Sequence, residues 1–450
     1  MRSMRPDFPF PPAAFPFYYG WVVLVVSSIG LVMSAPGQTI GVSVFTEPLL
    51  EATGLSRVEF SNAYLMGTLA SGLMLPYAGT VIDRVGVRVG VIWASLSLGA
   101  VIIVLSQVDR LAMRVAEYGI PKTTAAYALL TIGFLGLRFS GQGVLTLVCR
   151  TMLGQWFERR RGLVSSISGP FASFAFAGSP LVLSVWVANS GWREAWIEIA
   201  AVVGIGMATL GWFFFRDNPE QCGLEIDGGL DPSDSASLDQ AEGTSMSPKN
   251  RDFTRGEAIR TAAFWIVTLG ISNHAMVGTG IALHIVDLGA EVGLTKAEAL
   301  GIFMPVTLIS LPTGVLMGLA VDRYPIRHLL MGMMVGQVLM FGLAPHLGDP
   351  VLYWVCIAGW GFSGGFYGPL IVAAMPNFFG RTHLGAISGV MMMVIVIASA
   401  LGPAMLAAVK ASFGSYGVGL HVLALLPLGI LIVAPFTRDP QLPPASDVVA

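Results

Sequence analysis

Long runs of apolar residues, separated by short polar turns, fill most of this chain. A helix needs about 20 apolar residues to cross a hydrocarbon core of about 30 Å, and the chain has twelve such runs. They predict helices at roughly 19–45, 58–80, 89–107, 124–151, 162–189, 195–215, 261–288, 298–320, 328–346, 350–375, 385–409 and 418–436. The pattern therefore predicts an all-α membrane protein with twelve transmembrane helices.

The polar turns of the first half return in the second half. GTVIDRVGVR starts at Gly79 and GLAVDRYPIR starts at Gly318; upstream, GLSRVE at Gly54 matches GLTKAE at Gly293 with the same offset. Internal repeats of hydrophobic hairpins are typical of secondary transporters, which hold the substrate between the halves. We therefore expect two six-helix bundles, 19–216 and 260–437, related by a pseudo-two-fold axis along the membrane normal.

A second repeated piece has a shorter offset. SSISG at Ser165 matches GAISG at Gly385. This offset is shorter than that of the first repeat. The difference corresponds to an extra polar segment near 108–122, which predicts a longer external loop in the first half.

Composition agrees with a lipid environment. The 450 residues are 54% hydrophobic and 12% charged, with a mean hydropathy of +0.72, whereas soluble domains carry about 25% charged residues. A net charge of −2 gives no reason to expect a nucleic-acid partner. Cys149, Cys222 and Cys356 are far apart and match no metal or disulfide framework, so we interpret them as packing residues and expect no metal or cofactor.

The segments outside the bundles are polar or rich in proline. Residues 1–18 and 438–450 are tails, and 217–259, rich in Asp, Ser and Gly, predicts a disordered linker. Most Lys and Arg residues that flank the helices fall on the side that holds both termini, which predicts cytoplasmic termini in the cell (inner) membrane. A monomer is expected.

Two copies of G-x-x-x-D-R-x-x-x-R, each between the second and third helices of a half, resemble the signature loop of the major facilitator superfamily. YYGWVVL at the start of the first helix, RDNPEQCGLEIDG from Arg216, WFERRRGLVSSISG and NFFGRTHLGAISG together resemble its bacterial oxalate/formate-antiporter and monocarboxylate-transporter-like branch. R-D-x-P-x-x-C-G-L also resembles organophosphate antiporters. The chain departs from these relatives in lacking their cations in helices 1, 7, 8 and 11.

The resemblance implies a secondary active transporter that moves a small organic anion, such as a monocarboxylate, by alternating access with protons. Its partners would be that substrate, protons and the lipid bilayer. A proton-driven drug or metabolite exporter is an alternative, although the fifth helix lacks the G-P-x-x-G-G run of such antiporters. A membrane sensor or scaffold without flux is an alternative of another class. Enzyme activity is not expected, because no nucleophile–base pair is evident.

The candidate substrate site of the first half centres on Arg138, thirteen residues into an apolar helix. A charge near the bilayer centre costs about 2.5–3.5 kcal/mol on insertion scales and usually faces a cavity or a partner. Gln142 follows on the same face. Pro36 and Gly37 interrupt the first helix, which makes Gln38 a candidate pore-lining donor. The surrounding RFSGQG resembles the helix 4 motif of the superfamily, which is linked with proton coupling; a structural role for Arg138 is the alternative.

The second half offers matching candidates. Asn273 and His274 lie thirteen residues into the seventh helix, and Tyr367 lies among glycines in the tenth; together they complete the candidate substrate set. His274, and the pair His284 and Asp287 three residues apart, are candidates for proton coupling, because a carboxylate raises the pKa of a neighbouring His. Structural histidines are the alternative.

The repeated D-R turns predict a cytoplasmic gate. The resemblance places each aspartate against the start of a helix of the other half, Asp83 near Gly385 and Asp322 near Gly162. A carboxylate at a helix N-terminus contributes about 0.3–1 kcal/mol. The gating candidates are Asp83, Arg84, Arg88, Asp322, Arg323 and Arg327; for the arginines, enforcing topology is the alternative.

Overall fold

The computed structural model describes residues 5–229 and 251–442, except for the side chains of 174–177. Within this part of the chain, twelve helices are long and apolar enough to cross a membrane, and there is no β-strand. They are α1 (Gly20–Gly37), α2 (Arg57–Val85), α3 (Val87–Ser106), α4 (Lys122–Trp156), α5 (Arg161–Ser190), α6 (Trp192–Phe214), α7 (Ala262–Glu291), α8 (Lys296–Val321), α9 (Ile326–His346), α10 (Pro350–Phe379), α11 (Leu384–Phe413) and α12 (Gly417–Phe436). The predicted all-α membrane class is confirmed.

The repeated GLSRVE and GLTKAE segments form the same local structure, an N-terminal capping box. The Glu59 carboxylate accepts the backbone N–H of Ser56 over 2.9 Å, and the Ser56 hydroxyl accepts the N–H of Glu59. Thr295 and Glu298 repeat this arrangement at the start of α8, at 2.8 Å. A capping box satisfies N–H groups that a helix start leaves unpaired. The sequence repeat therefore fixes where α2 and α8 begin.

The chain divides into two compact units. Unit 1 contains the described residues up to Trp156, together with Phe171–Gly228 and Ser388–Met393; unit 2 contains Phe157–Pro170, Gly229–Ile387 and the residues from Val394 onward. The units follow the predicted bundles 19–216 and 260–437, except that Phe157–Pro170 belongs to unit 2 and Ser388–Met393 belongs to unit 1. The bundles and their two-fold relation stay a prediction.

Unit 2 has a continuous apolar core. Ile285 of α7, Phe341 of α9 and Ile357 of α10 are among its fully buried members. Small residues bring α9 and α10 together, since a Cβ on Gly336 would lie 2.8 Å from the carbonyl oxygen of Gly359. Within lipid, burial of apolar surface does not drive helices together, so they associate through close backbone packing at small residues.

The connection between α3 and α4 near 108–122 is longer than that between α9 and α10, as the sequence predicts, and part of it is helical. Val108–Ala116 forms a helix, and Asp109 lies at its first turn, 2.6 Å from a guanidinium nitrogen of Arg193 at the start of α6. The hydrogen bond from Arg193 lowers the pKa of the Asp109 carboxyl below its ordinary value. Sequence patterning misses this helix because it is short and its partner is 84 residues away.

Both described ends of the segment between α6 and α7 are folded, which corrects the prediction of a disordered linker over 217–259. At the first end, the Asp217 carboxylate accepts the backbone N–H of Arg88 over 3.0 Å. At the second end, the Asp252 carboxylate accepts the backbone N–H of Arg381 over 2.8 Å. Residues 230–250 lie outside the described residues, as do 1–4 and 443–450 of the tails.

The N-terminal residues 5–18 are held on unit 1 by two buried arginines. Arg88, which is 2% exposed, donates to the carbonyl oxygen of Phe8 over 2.7 Å. Arg216, which is 1% exposed, donates to that of Pro6 over 2.6 Å. The structure thus gives Arg88 a tail-holding role that the sequence did not predict, and its gating role stays a prediction.

Candidate functional site

The break in α1 and a change of helix type in α4 build the site in unit 1. Helical geometry in α1 ends at Met33, a 3₁₀ turn follows at Ala35–Gly37, and a short helix resumes at Thr39–Ser43. In α4, residues Arg138–Leu145 form a π-helix, a form that often marks functional sites. The sequence predicted the break but not the π-helix, because Pro36 and Gly37 are visible breakers whereas π geometry has no comparable residue signal.

Two glycines let these segments touch. A Cβ on Gly37 would lie 2.7 Å from the Cα of Gly141, and a Cβ on Gly141 would lie 2.8 Å from the Cα of Gly37. Real Cβ contacts are essentially never this short. The glycine pair therefore brings the freed carbonyl groups of the α1 break next to the π-helix.

Arg138 lies at this crossing and is 2% exposed. Its Nη1 donates to the carbonyl oxygen of Gly37 over 3.2 Å and to the hydroxyl oxygen of Thr39 over 3.3 Å. The ring of Tyr64, from α2, lies with its centroid 5.3 Å from the guanidinium carbon, a distance typical of a cation–π contact. Neutral groups thus surround the positive charge.

No carboxylate compensates this charge within the described residues, since Arg138 forms no ion pair there. Its Nε is buried without a hydrogen-bond partner. Buried charges in proteins are normally paired, and unpaired buried donors are costly. The guanidinium therefore keeps a donor that no described residue uses, and anion binding by Arg138 stays a prediction.

Gln38 and Gln142, the other candidates in unit 1, differ in how they are bonded. The Gln38 amide donates to the hydroxyl of Ser34 over 3.1 Å, within the α1 break. The amide oxygen of Gln142 is buried and has no partner among the described residues. Gln142, like Arg138, thus keeps free bonding capacity, whereas Gln38 supports the break.

In unit 2 the structure brings three polar side chains together. His274 Nδ1 lies 2.9 Å from the hydroxyl of Ser363, which is fully buried in α10. The rings of His274 and Tyr367 stack obliquely with centroids 5.2 Å apart. His274 and Tyr367, both candidates from the sequence, are therefore in contact, and the Ser363 hydroxyl orients the imidazole. Substrate contact by either residue stays a prediction.

Asn273 belongs to a different cluster from its neighbour His274. Its amide nitrogen donates to the Gln337 side chain over 3.0 Å, and Gln337 donates to the carbonyl oxygen of Gly270 over 2.8 Å. Asn273 and Gln337 are 1% and 0% exposed. This cluster joins α7 to α9, and a substrate contact by Asn273 stays a prediction.

His284 and Asp287 do not form the ion pair that their spacing suggested. His284 Nε2 lies 3.1 Å from the carbonyl oxygen of Pro403, and Nδ1 lies 3.3 Å from the hydroxyl of Tyr416. Because a carbonyl only accepts, His284 Nε2 carries a proton and donates it to the Pro403 oxygen. The three-residue spacing puts both side chains on one helix face, but α11 and the start of α12 supply nearer partners.

One contact that the gate prediction requires is present in unit 2. The Asp322 carboxylate accepts the backbone N–H groups of Gly162 and Leu163 over 2.6 and 3.1 Å. This is the predicted contact between Asp322 and the start of α5. Arg323 and Arg327 are exposed, as is Arg84 in unit 1. The contact of Asp83 with Gly385, and the gating role of all six residues, stay predictions.

Sequence reasoning missed several residues that complete these clusters, and a weak signal existed for some. Gln337 is a single amide in the apolar run of α9, and polar residues inside a span are functional candidates. Tyr64 gave little signal, because a tyrosine near the end of a membrane helix is common. Thr39 is a small hydroxyl residue that only its neighbours identify, whereas Ser363 stands out in the sequence beside Tyr367 among the glycines of α10.

Comparison with known proteins places the chain in a family. Residues 14–403 match the Major Facilitator Superfamily, and the chain belongs to this family of transporters. Its solved structures share the fold. The proton:xylose symporter XylE, bound to 6-bromo-6-deoxy-D-glucose, superposes with a TM-score of 0.63 at 16% identity, over 94% of this chain and 96% of that one.

Two further structures agree. The human organic anion transporter MFSD10 gives a TM-score of 0.64 at 14% identity, over 92% of this chain and 99% of that one. FucP in the outward conformation gives 0.60 at 14% identity, over 93% and 99%. At these identities the likeness shows the fold alone.

A sequence relative is the probable sulfoacetate transporter SauU of Cupriavidus necator. It is 27% identical over 192 residues, which cover 40% of this chain and 38% of the relative. The match thus spans well under half of that protein. The oxalate/formate and monocarboxylate branch stays a prediction.

Proposed function

We propose that this protein is a secondary active transporter that moves a small organic monoanion, such as a monocarboxylate, across the cell membrane together with a proton. Arg138 carries the proposal. It is a buried guanidinium with an unpartnered Nε and no carboxylate partner among the described residues. A planar guanidinium binds carboxylate or sulfonate oxygens with strong, directional hydrogen bonds.

Two further observations support an organic anion. Among the described spans, Arg138 is the single fixed positive charge near a helix centre, which favours one negative charge on the substrate. The name of the sulfoacetate relative also describes a carrier of a small organic anion. Only part of that relative matches this chain, so its substrate is not assigned to this chain. The substrate is instead tested with a panel of anions.

Proton coupling is assigned to unit 2. His274 is held by Ser363 and stacks on Tyr367, and His284 is held by Tyr416. An imidazole is the side chain whose ordinary pKa allows it to gain and lose a proton near neutral pH. Neither ring forms an ion pair with a carboxylate within the described residues.

The test is uptake of labelled lactate, formate, oxalate and sulfoacetate into proteoliposomes, with and without an inward proton gradient. We expect uptake of at least one monoanion, faster with the gradient. Arg138→Lys should lower kcat/KM by about 10–100-fold although the charge is kept, because charge-assisted bonds with guanidinium geometry are lost.

Arg114→Lys is the matched control, since Arg114 is exposed on the helix Val108–Ala116. Monodisperse elution of each variant shows that it folds. If Arg138→Gln transports an organic anion at the wild-type rate, the anion site lies elsewhere. Extrusion of a cationic dye without anion uptake would favour a drug exporter, and no flux of either kind would favour a sensor or scaffold.

A further inference from the structure

Two hydrogen-bond donors of unit 1 point at one oxygen atom. The hydroxyl oxygen of Thr39 accepts the phenol proton of Tyr64 over 2.9 Å and a guanidinium proton of Arg138 over 3.3 Å. The three side chains come from different segments: the short helix after the α1 break, α2, and the π-helix of α4. A cationic donor and a neutral donor that converge on one oxygen form the arrangement that stabilises an anionic oxygen.

Thr39 behaves in this cluster only as an acceptor. Both of its bonds are accepted bonds, and its own hydroxyl proton has no acceptor among the described residues. Thr39 is exposed, whereas Arg138 is 2% exposed. The oxygen that receives both donors is therefore the part of the cluster that an incoming ligand can reach.

The bond from Arg138 to Thr39 is also weak. Charge-assisted N–H···O bonds to an anionic oxygen are about 2.7–2.9 Å long, and this one is 3.3 Å. A neutral hydroxyl is a poorer acceptor for a guanidinium than a carboxylate or sulfonate oxygen. An anionic oxygen at this position would form a shorter and stronger bond with the guanidinium.

We propose that the Thr39 hydroxyl occupies the position of a substrate oxygen, and that a carboxylate or sulfonate oxygen displaces it and takes the donors of both Arg138 and Tyr64. Tyr64 is then a specificity-determining residue that supplies the second donor. Thr39 is a competitor that limits affinity. This inference rests on the proposed function, because it names further residues of the same anion site.

The test is the KM for the best-transported anion of the uptake panel, with opposite shifts expected in two variants. Thr39→Val keeps the shape and removes the competing oxygen, so KM should fall by about 3–10-fold. Tyr64→Phe keeps the ring over the guanidinium and removes one donor, so KM should rise about tenfold with kcat little changed. Thr39→Ala serves as a second variant should Thr39→Val fold poorly.

Matched controls are Thr46→Val and Tyr118→Phe. Among the described residues, Thr46 bonds within its own turn, and Tyr118 is 87% exposed; neither variant should change KM. Binding can also be measured without transport, as the rise in melting temperature of the purified protein on adding sodium lactate or sodium sulfoacetate. Compared with wild type, this rise should be larger in Thr39→Val and smaller in Tyr64→Phe.

Opposite shifts matter because a general structural fault lowers affinity in both variants. If anions are transported and depend on Arg138, but Thr39→Val raises KM, then Thr39 is a positioning or binding residue and the competitor proposal is wrong while the proposed function stands. If no panel anion is transported or protects the protein, both proposals fail.

Discussion

Three arginines of unit 1 are almost completely buried, but their guanidinium groups are not equally satisfied. Arg88 and Arg216 each donate to several main-chain carbonyl oxygens, at distances down to 2.6 Å. Arg138 reaches one carbonyl at 3.2 Å and one hydroxyl at 3.3 Å, and its Nε has no partner. A buried charge is costly unless it is well bonded. The bonds of Arg88 and Arg216 are those of structural anchors, whereas Arg138 keeps one donor unused among the described residues.

At the same scale, the ion pair of Asp109 and Arg193 gives a pH-dependent prediction. Two guanidinium nitrogens of Arg193 donate to the two carboxylate oxygens at 2.8 and 2.6 Å. Asp109→Asn should therefore lower stability at neutral pH by about 1–2 kcal/mol, measured as the melting temperature in detergent. Glu47→Gln is the control, because the Glu47–Arg57 pair is 62% and 72% exposed and contributes little.

The direction of the pH effect follows from the lowered pKa of Asp109 in the folded protein. A depressed carboxyl pKa adds stability above the ordinary value of 3.8, and this stability is lost as the pH falls through the folded pKa. The difference in melting temperature between wild type and Asp109→Asn should thus be constant above about pH 5 and shrink below about pH 4. A difference that stays constant over the whole acid range would contradict the assignment.

At the scale of the element, the site depends on the crossing of the α1 break with the π-helix of α4. A methyl group on Gly37 would meet the backbone of Gly141 at 2.7 Å, and backbone cannot rotate away as a flexible side chain can. Gly37→Ala should cost roughly 1–3 kcal/mol through overpacking and raise the KM for the anion, because the carbonyl that holds Arg138 is displaced.

Gly206→Ala is the matched control for Gly37→Ala. A Cβ at Gly206, in α6, meets nothing within 4 Å, and Ala favours helix over Gly. The readouts are the melting temperature and uptake kinetics. Equal behaviour of the two variants would show that the Gly37 and Gly141 contact does not position Arg138.

At the scale of the whole molecule, the gate prediction concerns the balance between transport states. Asp322 caps the start of α5 through two N–H groups, and a carboxylate at a helix N-terminus contributes up to about 2 kcal/mol when partly buried. Asp322→Asn should weaken this contact and change the population of accessible states by about 5–30-fold. The measurement is the alkylation rate of a single cysteine at Gln38, with the native cysteines replaced by serine.

Asp349→Asn is the control for the gate. Asp349 caps α10 with similar chemistry, accepting N–H groups of Val351 and Leu352 at 2.8 and 3.0 Å, but within three residues of itself. It should lower stability without changing the alkylation rate. Identical alkylation in wild type and Asp322→Asn would refute the gating role of Asp322.

Some features of the site could be predicted because they depend on residues that are close together in the sequence. Pro36 and Gly37 interrupt α1 where the sequence predicts it, and Arg138 stands out as a charge inside an apolar run. Other features could not be predicted. The spacing of His284 and Asp287 suggested an ion pair, yet Pro403 and Tyr416, more than 100 residues away, supply the partners of His284.

By itself, the sequence determined the twelve membrane helices and the start points of α2 and α8. In lipid, a helix must satisfy its backbone internally, so apolar length and capping residues are sufficient local information. Only the tertiary structure decided which atoms bond to the buried charges: Thr39 and Gly37 to Arg138, and the N-terminal carbonyls to Arg88 and Arg216. Those partners depend on how the helices pack against one another. The hydrophobic pattern within one helix does not indicate which neighbouring helix its polar residues contact.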